Sequence, residues 1–170
     1  MKSAYYTAVV TNAYRMAIDA YEKDPERYAF REEWYREIES VSHRPYETGF
    51  LFDDPRENAQ LTDMDGYVRE KAYFATVTAR GEAPEGSGIE IENERGVLCR
   101  MMQRNKLVRG ESAELLTPGR VGVPFVADEL YDAEGAPIES APHPMMPFYI
   151  RLPHLAGEGD LIRAGEKPET

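Results

Sequence analysis

The sequence has little cysteine and no long apolar stretch. Cys99 is the single cysteine among 170 residues, so the chain forms no internal disulfide and no cysteine-rich zinc cluster. Its apolar runs are far shorter than the roughly 20 residues that a membrane-spanning helix needs. The N-terminus also lacks the charged, apolar and cleavage regions of a signal peptide. These absences favour a cytoplasmic chain with no membrane contact, in which Cys99 is a small buried strand residue.

Residue patterns typical of catalysis or metal binding are also scarce. The three histidines are His43, His143 and His154, and none is paired with an acidic residue at the spacing of a metal-binding helix. Neighbouring carboxylates are frequent, but in an acidic chain they are better explained as solvated loop faces. The sequence therefore predicts no catalytic residue, no metal site and no cofactor in this chain.

Positive charge is in the minority, with 20 basic against 31 acidic residues and a net charge of -11. Such a surface repels phosphate on average, so nucleic-acid binding would require a local basic patch. Hydrophobic residues make up 42% and charged residues 30%, which is typical of a folded globular chain. The length allows one domain with a full core, or one small domain with an appendage, and argues against two full domains.

One segment departs from this acidic average. Between Arg95 and Arg109 there are no acidic residues and five basic ones, Arg95, Arg100, Arg104, Lys106 and Arg109. Alternate residues of an extended strand share a face, so Arg100, Arg104 and Lys106 would project together. The opposite, core-facing side would carry Val97, Cys99, Met101 and Leu107. This pattern predicts weak, auxiliary phosphate contacts; the alternative is an outer strand face whose charges pair with neighbouring glutamates.

A first helix is predicted from Ser3 to Tyr21. Ser3 is a suitable N-cap, and Asp24 followed by Pro25 ends the helix or opens the next turn. Apolar residues recur at spacings of three and four, which places them in one stripe: Tyr6, Val9, Val10, Ala13, Tyr14, Ala17, Ile18 and Tyr21. A stripe this rich needs a surface to cover it.

A second, shorter helix is predicted from about Arg31 to Ser40. Trp34, Ile38 and Val41 share one of its faces. The aromatic residues concentrated in both helices are explained more simply by packing than by base stacking.

After a loop rich in Pro, Gly and Asp, the pattern becomes strand-like. The expected strands lie at 50–52, 72–79, 88–92, 97–108, 112–116, 123–130 and 148–152. The prediction is an α+β chain, a helical pair followed by a small, mostly antiparallel β-barrel of about six strands. Its parts are expected to be helices over 1–41, a junction over 42–66, the barrel over 67–164 and a frayed tail over 165–170.

Four separated parts of the sequence resemble one known family. They are MKSAYY at 1–6 with NAYR at 12–15, VSHRPY at 41–46 with TGF at 48–50, QRNKL at 103–107 with LLTP at 115–118, and APHP at 141–144 with GDL at 159–161. Together they resemble, in order, the C-terminal region of the collagenase-like peptidase family, peptidases of unknown catalytic type, family 32.

The resemblance implies a longer parent protein. The family has an N-terminal barrel of the TIM type, whose end resembles residues 1–41 here, and a C-terminal β-barrel similar to the second domain of elongation factor Tu. Its cysteine-bearing signature lies upstream of the matched region, so the catalytic domain is expected to be missing from the front of this chain. Any iron–sulfur cluster or metal that the family uses would lie in that missing domain.

The resemblance also singles out residues without assigning their roles, namely Ser42, His43, Arg44, Tyr46, Gly49, Phe50, Asn105 and His143. His43 could orient a loop by bonding a backbone carbonyl, or it could take part in catalysis. His143 lies between Pro142 and Pro144, so its backbone is biased to extended geometry and its ring is held stiffly, for binding or for a turn.

Some members of the family are implicated in prephenate-dependent hydroxylation of the wobble uridine of tRNA. The leading hypothesis is therefore an accessory domain that positions substrate, with tRNA held weakly by Arg100, Arg104 and Lys106. The alternatives are a domain that presents peptides to a genuine peptidase, and a structural module that self-associates through the first helix. The chain alone is expected not to catalyse a reaction.

Overall fold

The computed structural model describes residues 3–43, 46, 51 and 71–165. Helix α1 spans Ala4–Lys23, a short 3₁₀ turn spans Pro25–Arg27, and helix α2 spans Glu32–Glu39. The Ser3 hydroxyl accepts a hydrogen bond from the Tyr6 N–H at 3.1 Å, which satisfies one of the free donors at the start of α1. Asp24 follows the last turn of α1 and caps the 3₁₀ turn by accepting from the Arg27 N–H. The predicted helical pair is confirmed.

The rest of the described chain is built from ten short strands. They are β1 (Tyr73–Arg80), β2 (Glu92–Asn93), β3 (Gly96–Gln103), β4 (Leu107–Val108), β5 (Glu111–Leu116), β6 (Val123–Ala127), β7 (Leu130–Tyr131), β8 (Ser140–Ala141), β9 (Pro147–Leu152) and β10 (Leu161–Ala164).

Eight of these strands form one antiparallel sheet in the order β6-β5-β10-β1-β3-β9-β7, with β2 added beside β3. The sheet curls into a nearly closed barrel, and β4 and β8 form a separate two-stranded ribbon. The predicted α+β class and the mostly antiparallel barrel are confirmed.

Several strand predictions were wrong in detail. Only Glu92 of the stretch 88–92 lies in a strand, and the stretches 97–108 and 123–130 are each broken by a turn. The strand β10 was not predicted, although it lies in the middle of the sheet between β5 and β1. The strand expected at 50–52 lies outside the described residues except for Leu51.

The barrel interior is a continuous apolar core. It includes Phe74, Val77, Val97, Cys99, Met101, Leu107, Leu115, Phe148, Ile150, Leu152 and Ile162. The close approach of β3 to β9 requires glycine at position 96, because a Cβ there would lie 2.0 Å from the Leu152 carbonyl oxygen and φ is 147°.

The helices pack against the barrel through a second, smaller apolar cluster. Tyr5 and Val9 of α1 and Val41 after α2 contact Leu116 and Leu161 at the ends of β5 and β10. Tyr5 also stacks on the Tyr73 ring at 5.3 Å.

The predicted stripe of α1 is correct only in part. Val9 and Ala13 are buried, but Tyr5 and Met16 complete the buried face, while the predicted members Tyr14, Ile18 and Tyr21 are exposed. The buried face of α1 is rotated from the one that the spacing indicated.

Candidate nucleic-acid interface

The five basic residues between positions 95 and 109 fall into two groups. Arg95 lies 3.5 Å from the Glu129 carboxylate, which also pairs with Arg151 at 2.7 Å, and Arg109 lies 3.3 Å from the Glu139 carboxylate, so each has a carboxylate partner. The other three, Arg100, Arg104 and Lys106, are exposed and form no ion pair with any residue in the described part of the chain. Pairing with neighbouring glutamates therefore accounts for the two end residues of the segment and not for the three predicted to contact phosphate.

The alternation predicted that the three cations share one face of a single strand. They do not, because only Arg100 lies in β3. The core-facing half of that prediction is confirmed, since Val97, Cys99, Met101 and Leu107 are fully buried. Strand β3 ends at Gln103, however, because the N–H groups of Arg104 and Asn105 both donate to the Phe74 carbonyl, at 2.7 and 3.1 Å.

Asn105, one of the family-motif residues, fixes this turn. Its side-chain amide donates to the Tyr73 carbonyl at 2.5 Å, so the amide ties the turn after β3 to the start of β1. Asn105 is therefore a structural residue that sets the direction of Arg104 and Lys106 on either side of it.

The turn lies beside the loop that carries His143. Leu107 of β4 pairs with Ala141 of β8, so Lys106 and Pro142 leave the ribbon side by side. The buried Gln103 then joins the turn to the loop through three hydrogen bonds. Its N–H donates to the Met146 carbonyl at 3.1 Å, its carbonyl accepts from the Met145 N–H at 3.1 Å, and its side-chain amide donates to the Ala141 carbonyl at 3.0 Å.

We refer to the exposed side chains of Arg104, Lys106, His143 and Met145 as the basic rim. All four lie at the end of the β4–β8 ribbon, on two segments held together by Gln103. Sequence reasoning had placed Arg104 and Lys106 together and had singled out His143 separately, without a reason to bring it beside them.

Met145 was missed by sequence reasoning. Among the described residues it is the one non-glycine with positive φ, 64°, a conformation that costs roughly 1 kcal/mol for a residue with a Cβ. Its side chain is 53% exposed, and its sulfur lies 3.1 Å from the Arg104 guanidinium. The loop thus holds an apolar side chain outward, in a strained conformation, next to a cation.

Arg100 lies apart from the basic rim, in the middle of β3. It pairs with Tyr149 of β9, which pairs in turn with Tyr131 of β7, so the three residues form one cross-strand row in which Arg100 is exposed and Tyr149 is buried. Burial is the main cause that raises the pKa of Tyr131, and the nearby Glu129 carboxylate raises it further. The hydroxyl therefore stays protonated. Four strand positions separate Arg100 from Arg104, a distance of about 13 Å.

The junction histidine His43 is buried and orients its own loop. Its Nδ1 donates to the Val41 carbonyl at 2.8 Å, and its ring stacks on Tyr46 with centroids 4.6 Å apart. The Tyr46 hydroxyl donates to the Ile38 carbonyl, and burial with the nearby tyrosines Tyr6 and Tyr35 raises the pKa of Tyr46 to about 12. These contacts match the loop-orienting role proposed for His43.

The remaining family-motif residues of this junction are Ser42, Arg44, Gly49 and Phe50. Ser42 is half-buried beside His43. Arg44, Gly49 and Phe50 lie outside the described residues.

The described residues provide no evident catalytic centre. Cys99 is fully buried in the core, and burial raises the pKa of its thiol to about 11, which disfavours the reactive thiolate. His154 is exposed and lies 3.0 Å from the Glu92 carboxylate. Within the part of the chain that is described, no group of three or more His, Cys, Asp or Glu side chains is placed to hold a metal ion.

Asp160, in the family-like segment GDL, has a local structural role. Its carboxylate accepts a hydrogen bond from the Gly157 N–H at 2.8 Å and so shapes the turn that leads into β10. Burial raises the pKa of this carboxyl, with the Gly157 N–H opposing the shift.

A buried ionic network joins the helices to the barrel, and sequence reasoning missed it. Arg163 of β10 donates to Glu37 at 2.8 Å, to Glu114 at 2.6 Å and to the Ser40 hydroxyl at 2.5 Å. Lys71 makes a further ion pair with Glu114 at 2.6 Å. Burial alone would lower the pKa of Arg163, but the two carboxylates more than offset this and raise it.

The sequence contained one sign of this network. Glu37 lies three residues after Trp34 and four before Val41, and so falls on the apolar face of α2. A charge in that position indicates a buried partner.

Two sequence models of one family match most of the chain. Residues 1–61 match peptidase family U32, and residues 87–163 match the peptidase family U32 C-terminal domain. No helix in the described parts of the chain is long and apolar enough to cross a membrane.

Among curated proteins, the tRNA hydroxylation protein P1 of Bacillus subtilis (strain 168) is 26% identical over 167 residues. The match covers 98% of this chain and 36% of the relative, so the chain spans little more than a third of that protein's length. Among solved structures, the C-terminal domain of a Geobacillus thermoleovorans protein described as a U32 peptidase aligns with a TM-score of 0.43 and 18% identity. That alignment covers 56% of this chain and 93% of the other.

Proposed function

The chain belongs to peptidase family U32, and we propose that it is an accessory domain that holds RNA, transfer RNA in particular, for the catalytic part of a longer protein. The similarity to a tRNA hydroxylation protein supports tRNA as the ligand. In this proposal the barrel contributes binding and orientation, and no described residue takes part in the chemical step.

The observation that carries the proposal is that three of the five cations between positions 95 and 109 are exposed and have no carboxylate partner among the described residues. In a chain of net charge -11, free acidic groups are plentiful, yet Arg100, Arg104 and Lys106 are not paired with any described one. A cation that is not neutralised within its own protein can pair with a phosphate without first breaking an ion pair. These three therefore bind phosphate at a lower cost than Arg95 or Arg109.

The proposal also sets the strength of binding. Three phosphate contacts give a slope of log affinity against log salt of about -2 to -3. The acidic remainder of the surface repels the RNA, so the isolated chain binds weakly and without reading sequence. Such a contact positions a substrate that other parts of a longer protein also hold.

The test is a titration of unmodified tRNA with the purified chain at low and at moderate salt. One variant replaces Arg100, Arg104 and Lys106 with glutamine. The matched control replaces Arg27, Arg95 and Arg109 with glutamine, so both variants lose the same charge but the control loses only cations that have carboxylate partners.

We expect the first variant to lose at least tenfold in affinity at low salt and to show a shallower salt dependence, while the control keeps most of its affinity. Equal losses in the two variants would mean that only net charge matters and would contradict the proposed site. No salt-dependent binding of tRNA by the unmodified chain would overturn the proposed function itself.

A second candidate function is association through the helices, and one observation favours it. Tyr14, Tyr21 and Phe30 are 61%, 53% and 61% exposed. Large aromatic side chains are enriched in protein interfaces, so this exposed surface offers a contact for a second chain. This surface lies on the helical pair and not on the basic rim, so the two functions are compatible.

A further inference from the structure

The basic rim carries two side chains that the phosphate contacts do not explain. His143 is exposed and held between two prolines, which restrict the backbone on both sides of it. Met145 is exposed through a positive φ that a glycine would adopt without strain. The Met145 sulfur lies against the Arg104 guanidinium, and His143 follows Pro142, the residue that leaves the ribbon beside Lys106.

We propose that the basic rim binds an unpaired nucleotide. In this proposal, Arg104 and Lys106 contact the phosphates, and His143 and Met145 contact the face of the base. The inference rests on the proposed function, because it specifies which part of an RNA this surface takes.

The chemistry of the two side chains supports a base as the ligand. An imidazole ring stacks on a nucleobase, and a thioether makes favourable contacts with aromatic rings. In a duplex the faces of the bases are covered by their neighbours, so such contacts require a base that has left the stack. A surface that recognised only duplex backbone would need the cations and would gain nothing from an outward methionine.

The site is already formed before a ligand arrives. Three hydrogen bonds of Gln103, two donated and one accepted, and the Leu107–Ala141 pairing fix the two segments relative to each other. The contact of the Arg104 guanidinium with the Met145 sulfur, at 3.1 Å, places the cation against the apolar group. Little conformational freedom then has to be lost on binding, which favours affinity even for a small contact.

The test compares two probes by fluorescence anisotropy: a short single-stranded RNA of uridines, and an RNA duplex of the same length. The variants are Met145→Ala, His143→Ala and Lys106→Gln, with Val126→Ala as a control for loss of an exposed apolar side chain on a different strand. Circular dichroism verifies that each variant is folded.

We expect the chain to bind the single strand more tightly than the duplex. Met145→Ala and His143→Ala should each weaken single-strand binding by roughly fivefold or more, as loss of a stacking contact does, and leave duplex binding unchanged. Lys106→Gln should weaken binding of both probes and reduce the salt slope by about one. Val126→Ala should change neither affinity.

Two results would overturn the inference. One is equal affinity for the two probes, and the other is unchanged single-strand affinity in both Met145→Ala and His143→Ala. In either case, salt-dependent binding that is lost in Lys106→Gln would leave the proposed function intact. Absence of binding to tRNA and to both probes would overturn the proposed function and, with it, this inference.

Discussion

Arg163, on the last strand, donates a hydrogen bond to Glu37 of the second helix at 2.8 Å, across 126 positions of sequence. Both side chains are almost completely shielded from solvent. Glu37 also accepts a hydrogen bond from the Gly122 N–H at 3.0 Å, so one carboxylate holds the helix, a strand and a loop. This contact fixes how the helical pair sits on the barrel.

Replacing Arg163 with methionine should destabilise the fold strongly. The change leaves the Glu37 carboxylate buried without its cation, and removing one partner of a buried pair typically costs about 3–5 kcal/mol. The measurement is urea unfolding at neutral pH. The control Arg15→Met removes an exposed helical pair with Asp19 and should cost less than about 1 kcal/mol. Similar losses in both variants would show that the network adds little.

Gly96→Ala should be far more damaging than Gly86→Ala. Both glycines have positive φ, but a Cβ at position 96 would lie 2.0 Å from the Leu152 carbonyl oxygen, whereas position 86 has no atom within 4 Å. We expect the strand variant to lose more than about 3 kcal/mol of unfolding free energy or to fail to fold, and the turn variant to lose about 1 kcal/mol. Equal costs would indicate that β3 and β9 separate easily.

Met145→Gly should be tolerated better than glycine at an ordinary turn position. Glycine removes the strain of the positive φ, which offsets the entropy that it adds to the unfolded chain. The comparison is Glu85→Gly, at an exposed turn residue without positive φ, which should be less stable than Met145→Gly by about 1 kcal/mol. Thermal unfolding of the two variants measures the difference. The opposite order would show that the Met145 side chain itself stabilises the loop.

The Cys99 thiol should resist alkylation in the folded chain. Burial raises its pKa to about 11, so the thiolate fraction at pH 8 is only about one in a thousand. We expect iodoacetamide to react on the order of a hundredfold more slowly with the native chain than with the urea-unfolded chain.

The same shift predicts a pH dependence of stability. Because the folded pKa of this acid is raised, the neutral thiol stabilises the fold fully below about pH 9, and that contribution is lost as pH rises towards 11. Cys99→Val should show a smaller fall in melting temperature over this window. Rapid labelling of native Cys99, or identical pH profiles, would contradict the prediction.

The exposed aromatic side chains of the helical pair should promote association. Replacing Tyr14 and Tyr21 with lysine should reduce any dimerisation seen by sedimentation velocity, because these side chains are more than half exposed and offer an apolar contact. Lysine at the exposed position Val126, on the barrel, is the control. If the unmodified chain sediments as a monomer at all accessible concentrations, the association function is excluded.

The helical pair could be predicted from sequence because the residues at which its helices begin and end are set by their neighbours in sequence. Ser3 and Asp24 cap elements that begin within a few positions of them, and the apolar spacing identifies a stripe. Which part of the stripe is buried depends on a remote partner. Tyr14 and Tyr21 are exposed for that reason, while Met16, outside the predicted stripe, is buried.

The strands that were missed are defined by non-local pairing. The four residues of β10 are too few for an alternating pattern, and their place is set by β1 and β5. The turn after Gln103 contains neither glycine nor proline, and it forms because two N–H groups bond to Phe74, about 30 positions away.

The candidate site shows the same division between local and remote causes. The charge of Arg104 and Lys106 and the stiffness around His143 can be read from neighbouring residues. Their placement together depends on the register of β4 with β8, and Met145, with its positive φ, bonds to Gln103, about 40 positions away in sequence. Neither is encoded in a short motif.

The position of β10 in the sheet has a consequence for synthesis on the ribosome. Without β10 the sheet divides into two parts, β6-β5 and β1-β3-β9-β7, each with an open edge. All of these strands leave the ribosome before Leu161, so a nascent chain halted there would expose two unpaired edges and the inner face of the helical pair. Strand β10 joins both sheet fragments when it emerges, and its Arg163 then secures the helices, so the barrel closes only after Leu161–Ala164 has left the ribosome.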